Sequence, residues 1–352
     1  MIDILLIIYI ALIISGIRSY RRSGDIEQPF LDITRVRSSR GALALLVLLG
    51  HISYVTDSGH IFPYMANTGF LAVSGFFFFT GFGVMAKHMS DPDYSRGFLK
   101  KRYPKLLVMY LIIFSIFFTV RCFALHEGIT LKGAILQTFS NYPFVASSWY
   151  LFDTLIFYFV IWLMMCFLKD RYSSIVLYFT LFLFAFSVLL IVVGMGFWWF
   201  VSIFNIAVGM FFAYQYKKIV KFYDKYRYVL LLVYIALFAG FYSYYLRHTT
   251  GEAGSLFMLF VMISSSILFV LIYTMIAFLF KTDNKILDFI GVISLPFFLI
   301  QNMYNEVLPV RGILGNDLLF ACFSIVCTMI SAYILNMVLM YIFKFFSVSS
   351  RK

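Results

Sequence analysis

The chain alternates long apolar runs with short polar joints. Eleven runs stand out, at about 3–17, 41–56, 69–86, 104–125, 149–168, 173–193, 197–215, 228–246, 255–280, 286–304 and 317–343. Several approach the ~20 residues an α-helix needs to cross a hydrocarbon core, while the first is short and the last long. No polar stretch between them is long enough to fold alone. In lipid the backbone must satisfy its own hydrogen bonds, which helices do within one segment. The pattern therefore predicts an all-α, polytopic transmembrane bundle of about ten to eleven spans. The longest joint expected outside the membrane, about 126–148, carries His126, Glu127, Asn141 and Pro143.

Composition agrees with that solvent. The chain is 62% hydrophobic and 12% charged, with 44 Phe, where soluble domains run near half and a quarter. The net charge of +12 suggests nucleic acid only until the charges are placed. They sit in short runs between spans, such as Arg18, Arg21 and Arg22, then Lys100, Lys101 and Arg102, then Lys217, Lys218 and Lys221. Topology signals have that distribution, and membrane lipids are its natural partners. With the N-terminus outside and the C-terminus inside, all but four of the 28 basic residues fall on the inner side. Arg121, Lys132, Arg247 and Arg311 are the exceptions. The first run opens Met1-Ile2-Asp3 without a basic start, so it reads as an uncleaved span. Cys122, Cys166, Cys322 and Cys327 lie in apolar runs at no zinc-ligand spacing, and no metal is implied.

Two ionisable residues belong to one run. Arg40 stands at its inner edge and His51 is eleven residues on. Eleven helical steps make three turns plus roughly 20°, so both side chains share a face, roughly 16 Å apart along the axis. His51 then falls near mid-membrane, where an ionisable group must face the bundle interior or water. Ala44 and Val47 lie between them on that face and leave room for a ligand. Taken singly, Arg40 also suits lipid headgroups and His51 also suits a hydrogen-bonded packing role. The shared face favours a joint one.

An Arg, ten residues and a His in an early span resemble the signature of the acyltransferase-3 family of membrane O-acyltransferases. Four further segments are similar to that family's, in order. Phe76 to Gly83 reads FFFFTGFG, with Thr80 at a usual Ser. Phe98 to Lys105 reads FLKKRYPK, with Lys105 at a second basic position. Ser148-Trp149-Tyr150-Leu151 opens a later span, and Ser294 to Gln301 reads SLPFFLIQ, with Gln301 where His is frequent. The resemblance covers about 33–345. It leaves 1–32 as an extra span with a basic linker and 33–352 as the membrane acyltransferase domain.

The resemblance implies a cytoplasmic acyl donor, commonly acyl-coenzyme A, as co-substrate, with no permanently bound cofactor. It implies an acceptor hydroxyl on a carbohydrate or lipid-linked surface glycan, acetyl as the first acyl candidate, and a bacterial cytoplasmic membrane as the setting. The residue chemistry suits that reaction. Neutral imidazole at His51 is a base for a sugar hydroxyl, and the fixed charge of Arg40 stabilises a developing oxyanion or a phosphate. Arg102, Lys101 and Lys105 are expected to hold donor phosphates. Trp149, Tyr150 and Asp57 are expected at the acceptor entrance, and Glu306 is expected to pair with Arg311. The competing function is a glycan or lipid-linked precursor transporter. Such proteins often carry inverted repeats and paired broken spans, and no such pairing is legible here. A cavity joining Arg40, His51 and Arg102 is the feature that favours the enzyme.

Overall fold

A computed structural model describes residues 2–19, 31, 36–248, 255–308 and 310–349. In chain order the helices are α1 (Ile4–Ser15), α2 (Arg37–Val55), α3 (Gly69–Ser90), α4 (Tyr94–Thr119), α5 (Leu131–Thr138), α6 (Trp149–Leu168) and α7 (Tyr172–Val192). They continue with α8 (Phe204–Tyr214), α9 (Tyr216–His248), α10 (Leu256–Leu279), α11 (Lys285–Val292), α12 (Ser294–Ile300), α13 (Val310–Leu314) and α14 (Asp317–Ser349). A 3-10 turn, Phe62–Thr68, leads into α3, and a π-helical turn, Met303–Val307, follows α12. Among the described residues nine helices are long and apolar enough to cross a membrane, or ten if one bent pair is a single span. The chain is thus a polytopic helical bundle.

The bent pair puts a break into one expected span. The run 286–304 reads as one span, but α11 stops at Val292 and the chain restarts at Ser294 with a 71° bend. Pro296 supplies the reason. It has no N–H to give the carbonyl of Val292 four residues back, and its ring crowds that carbonyl. In the first turn of α12 the missing N–H costs nothing. The basic stretch Lys217 to Arg227 also differs from the expected loop, because it is helical and forms the start of α9.

Close helix crossings hold the centre. A Cβ on Gly41 would lie 1.9 Å from the Leu287 carbonyl oxygen, and one on Gly291 would lie 2.1 Å from that of Arg37. Only glycine lets α2 and α11 approach so closely, and this contact seats Arg40 beside Ser294. Between α3 and α8, Gly81 and Gly209 play the same part against Ile206 and Phe78.

The first helix has 12 residues, about 18 Å of rise against a ~30 Å core. Both its ends are tied. The Asp3 carboxylate accepts backbone N–H bonds from His60, Ile61 and Phe62 at 2.9, 3.0 and 2.9 Å. Those bonds, the one from His60 foremost, lower the carboxyl from its usual range to about 2. At the other end β1 (Ile17–Ser19) pairs antiparallel with β2 (Phe280–Thr282). The Asn284 amide donates to the Leu12 carbonyl and to Ser15 Oγ, both at 3.0 Å, while its oxygen caps α11.

Candidate functional site

Arg40 and His51 lie on one unbroken helix, α2. They open into different cavities near its two ends, so the one cavity expected to join Arg40, His51 and Arg102 is divided, with His51 apart from the two arginines. At the Arg40 end a cavity of about 620 Å³ is lined by Arg40, Lys87, Tyr94, Arg102, Tyr150 and Tyr158, among others. Four elements build it: α2, α3, α4 and α6. Arg40 Nη2 donates to Ser294 Oγ at 3.0 Å, so the restart of the broken span orients the guanidinium. Arg102 is held more fully. Its Nη1 donates to the Tyr158 hydroxyl and its Nη2 to the Tyr94 hydroxyl, each at 2.8 Å. Its guanidinium also lies over the Phe98 and Tyr158 rings, 5.0 and 4.9 Å from their centroids. Two bonds and two ring faces fix the plane of the charge.

Arg102 therefore meets Arg40 across one cavity. Lys101 and Lys105 do not join them. Both are exposed and line none of the cavities described, and Lys105 Nζ lies 6.0 Å from the Phe343 ring centroid. Lys87, which the sequence reading did not select, supplies the third cation. Its signal was its place in the last turn of the helix carrying FFFFTGFG.

At the His51 end a second cavity, about 430 Å³, is lined by His51, Glu306, Asn67, Asn141, Asn302 and Ser147 together with Tyr54, Tyr142, Trp149, Phe197, Trp198 and Tyr245. His51 Nδ1 is 3.5 Å from Glu306 Oε1, and both side chains are partly exposed to the cavity. The partner expected for Glu306, Arg311, has its side chain outside the described residues. Glu306 reaches His51 because the chain after α12 winds into the π-helical turn Met303–Val307. Such one-turn π segments often re-aim a side chain at a functional site. No local sequence pattern announces this, since His51 and Glu306 are 255 residues apart.

Asn302 is 1% exposed, and neither polar atom of its amide has a protein partner. Buried amides of that kind are satisfied by water or by a ligand. Gln301, at the position of the frequent family His, is buried and donates to the Phe298 carbonyl at 3.1 Å. Asp57 is exposed and does not line this cavity.

Trp149 and Tyr150 were expected side by side at the acceptor entrance. Trp149 lines the His51 cavity, but Tyr150 lines the Arg40 cavity. Consecutive residues on a helix point about 100° apart, so one helix serves both sides. The partition between the cavities is aromatic. Tyr150 packs edge-on against Phe298 with ring centroids 5.4 Å apart, and Phe298 lines the His51 cavity.

A helical membrane bundle, a cationic cavity and an imidazole–carboxylate cavity on one shared helix define a multi-pass membrane protein with a divided internal site. The family model described as an acyltransferase domain, Acyl_transf_3, matches residues 35–337, nearly the whole chain. The chain belongs to that acyltransferase family. No curated protein and no solved structure matches it.

Proposed function

We propose that this membrane acyltransferase moves an acyl group from acyl-coenzyme A to a hydroxyl of a carbohydrate or lipid-linked surface glycan. One observation carries the reading: α2 presents Arg40 to a cationic cavity and His51 to an aromatic, amide-rich one. The first suits a polyanionic donor. Arg40, Arg102 and Lys87 supply charge-assisted donors for phosphate oxygens, and the planar forks of the two arginines suit them best. The second suits a sugar. Trp149, Trp198 and Tyr142 offer flat apolar faces, and Asn67, Asn141 and Asn302 offer amides for hydroxyls. Lys87 and Arg102 belong to the strongly basic stretch 87–105, so the donor side is assigned to the cytoplasm of a bacterial cell and the His51 side to the exterior.

In the reaction, neutral His51 takes the proton of the acceptor hydroxyl as its oxygen attacks the thioester carbonyl. Glu306 stabilises the imidazolium that forms, the role a carboxylate plays beside a catalytic histidine. Arg40 meets the charge that develops on the carbonyl oxygen. The C–S bond then breaks, and the thiolate leaves with the proton returned by His51. Reaction requires the Tyr150–Phe298 partition to open enough for hydroxyl and thioester to touch.

The transporter alternative predicts a different loss. Mass spectrometry of surface glycans from cells with and without the chain separates them. The enzyme reading expects intact glycans lacking one acyl substituent. Glycans missing from the surface altogether would overturn it.

A further inference from the structure

The cationic cavity has a side chamber that phosphate binding leaves without a role. It holds about 130 Å³ and shares Arg40, Phe76, Thr80, Tyr150 and Tyr158 with the larger space. Past that shared wall it is lined by Leu106, Leu151, Leu295 and Phe298, with the hydroxyls of Thr154 and Ser294 among them. Leu151 is fully buried, and Leu106 and Phe298 are buried as well. Arg40 is the one charged residue among those lining the chamber, and its Nη2 is occupied by Ser294 Oγ. The chamber thus has a cation on the wall it shares with the larger cavity and a mostly apolar lining beyond it.

We propose that this chamber is the acyl subsite and that it selects an uncharged acyl group of about two to four carbons. The proposal rests on the donor reading above and decides what that reading leaves open, the size and charge of the group transferred. Volume sets the upper limit. An apolar cavity of about 150 Å³ holds one benzene, so this chamber takes about five or six heavy atoms. A butyryl group with its carbonyl oxygen fits, and an octanoyl group does not. Charge sets the other limit. A succinyl group would carry its free carboxylate past Arg40 in among leucines, where the Thr154 hydroxyl already donates to the Tyr150 carbonyl, and burying an unpaired ion is strongly disfavoured. Placement favours the assignment too. Tyr150 on the shared wall packs against Phe298, which lines the His51 cavity, so that aromatic pair alone separates an acyl carbonyl at the mouth from the acceptor side.

The test is calorimetric binding of coenzyme A and of its acetyl, butyryl, succinyl and octanoyl thioesters to the full chain in lipid nanodiscs. Each buried methylene should tighten binding by about fourfold. Acetyl- and butyryl-coenzyme A are expected to bind more tightly than coenzyme A, with no gain for the succinyl or octanoyl forms. Leu295→Phe should erase the acyl gain and leave coenzyme A affinity unchanged. Leu106→Ala should extend the gain to longer chains. Leu295 is only half-buried, so its variant keeps the test decisive if Leu106→Ala folds poorly. An acyl gain unchanged in Leu295→Phe, or octanoyl bound as tightly as butyryl by the wild type, overturns the subsite. Wild-type protein that ignores coenzyme A itself overturns the donor reading, and the subsite falls with it.

Discussion

Replacing His51 by alanine is the sharpest perturbation of the proposed chemistry. Among the described residues lining its cavity, His51 is the one imidazole. Its ring is partly exposed and faces Glu306, itself 43% exposed. Truncation therefore leaves no buried charge stranded, because water reaches the carboxylate. Large stability losses come from buried voids or unpaired buried groups, and neither arises here. Membrane insertion and protein level should stay near wild type. Activity should not. General-base assistance is worth about a hundred- to ten-thousandfold, or about 2.7–5.4 kcal/mol on the barrier. The assay is incorporation of a labelled acetyl group into surface glycan by cells expressing each form, normalised to protein in the membrane. Incorporation within threefold of wild type would remove the base from the mechanism and bring the transporter alternative forward.

Glu306→Gln keeps the shape beside His51 but removes the charge. The imidazolium formed in the reaction draws Glu306 in from 3.5 Å, and a hydrogen bond to a charged group, about 1.5–3 kcal/mol, implies a loss of about ten- to a hundredfold in the same assay. The two substitutions act on one unit, so the double variant should be no slower than His51→Ala. Arg102→Ala should weaken coenzyme A binding and also lower the melting temperature, because two tyrosine hydroxyls and two ring faces lose their cation; unchanged binding by calorimetry would leave Arg102 a packing and topology charge. Gly41→Ala should reduce the yield of folded protein, read by size-exclusion fluorescence, since its Cβ meets the Leu287 carbonyl at 1.9 Å. Asp3 has a carboxyl held at about 2 against an ordinary 3.8. A depressed folded pKa stabilises above the unfolded value and ceases to as pH falls through the folded one. Asp3→Asn should therefore lower the melting temperature at pH 7 and narrow the gap to wild type between about pH 4 and 2, followed by differential scanning fluorimetry.

Apolar period and length alone determine that this chain is a helical membrane bundle, because lipid permits few other ways to satisfy a backbone. The shared face of Arg40 and His51 was equally legible, since a helix converts spacing into direction without outside help. Arg40, Arg102 and Trp149 were selected from local motifs, and each lines a cavity. What escaped was everything that depends on which helices meet. Pro296 breaks a run whose hydrophobicity is continuous, and the bend it permits brings Ser294 to Arg40 and Glu306 to His51. Lys101 and Lys105 flank Arg102 in sequence yet stand outside its cavity, Lys101 because adjacent residues on a helix diverge by about 100° and Lys105 because three steps carry it about 4.5 Å along the axis. The same divergence puts Trp149 in one cavity and Tyr150 in the other. Local sequence sets the direction of a side chain from its own helix. Whether that direction ends in lipid, in water or against another functional group is decided only when the glycine-mediated crossings of α2 with α11 and of α3 with α8 place the helices together.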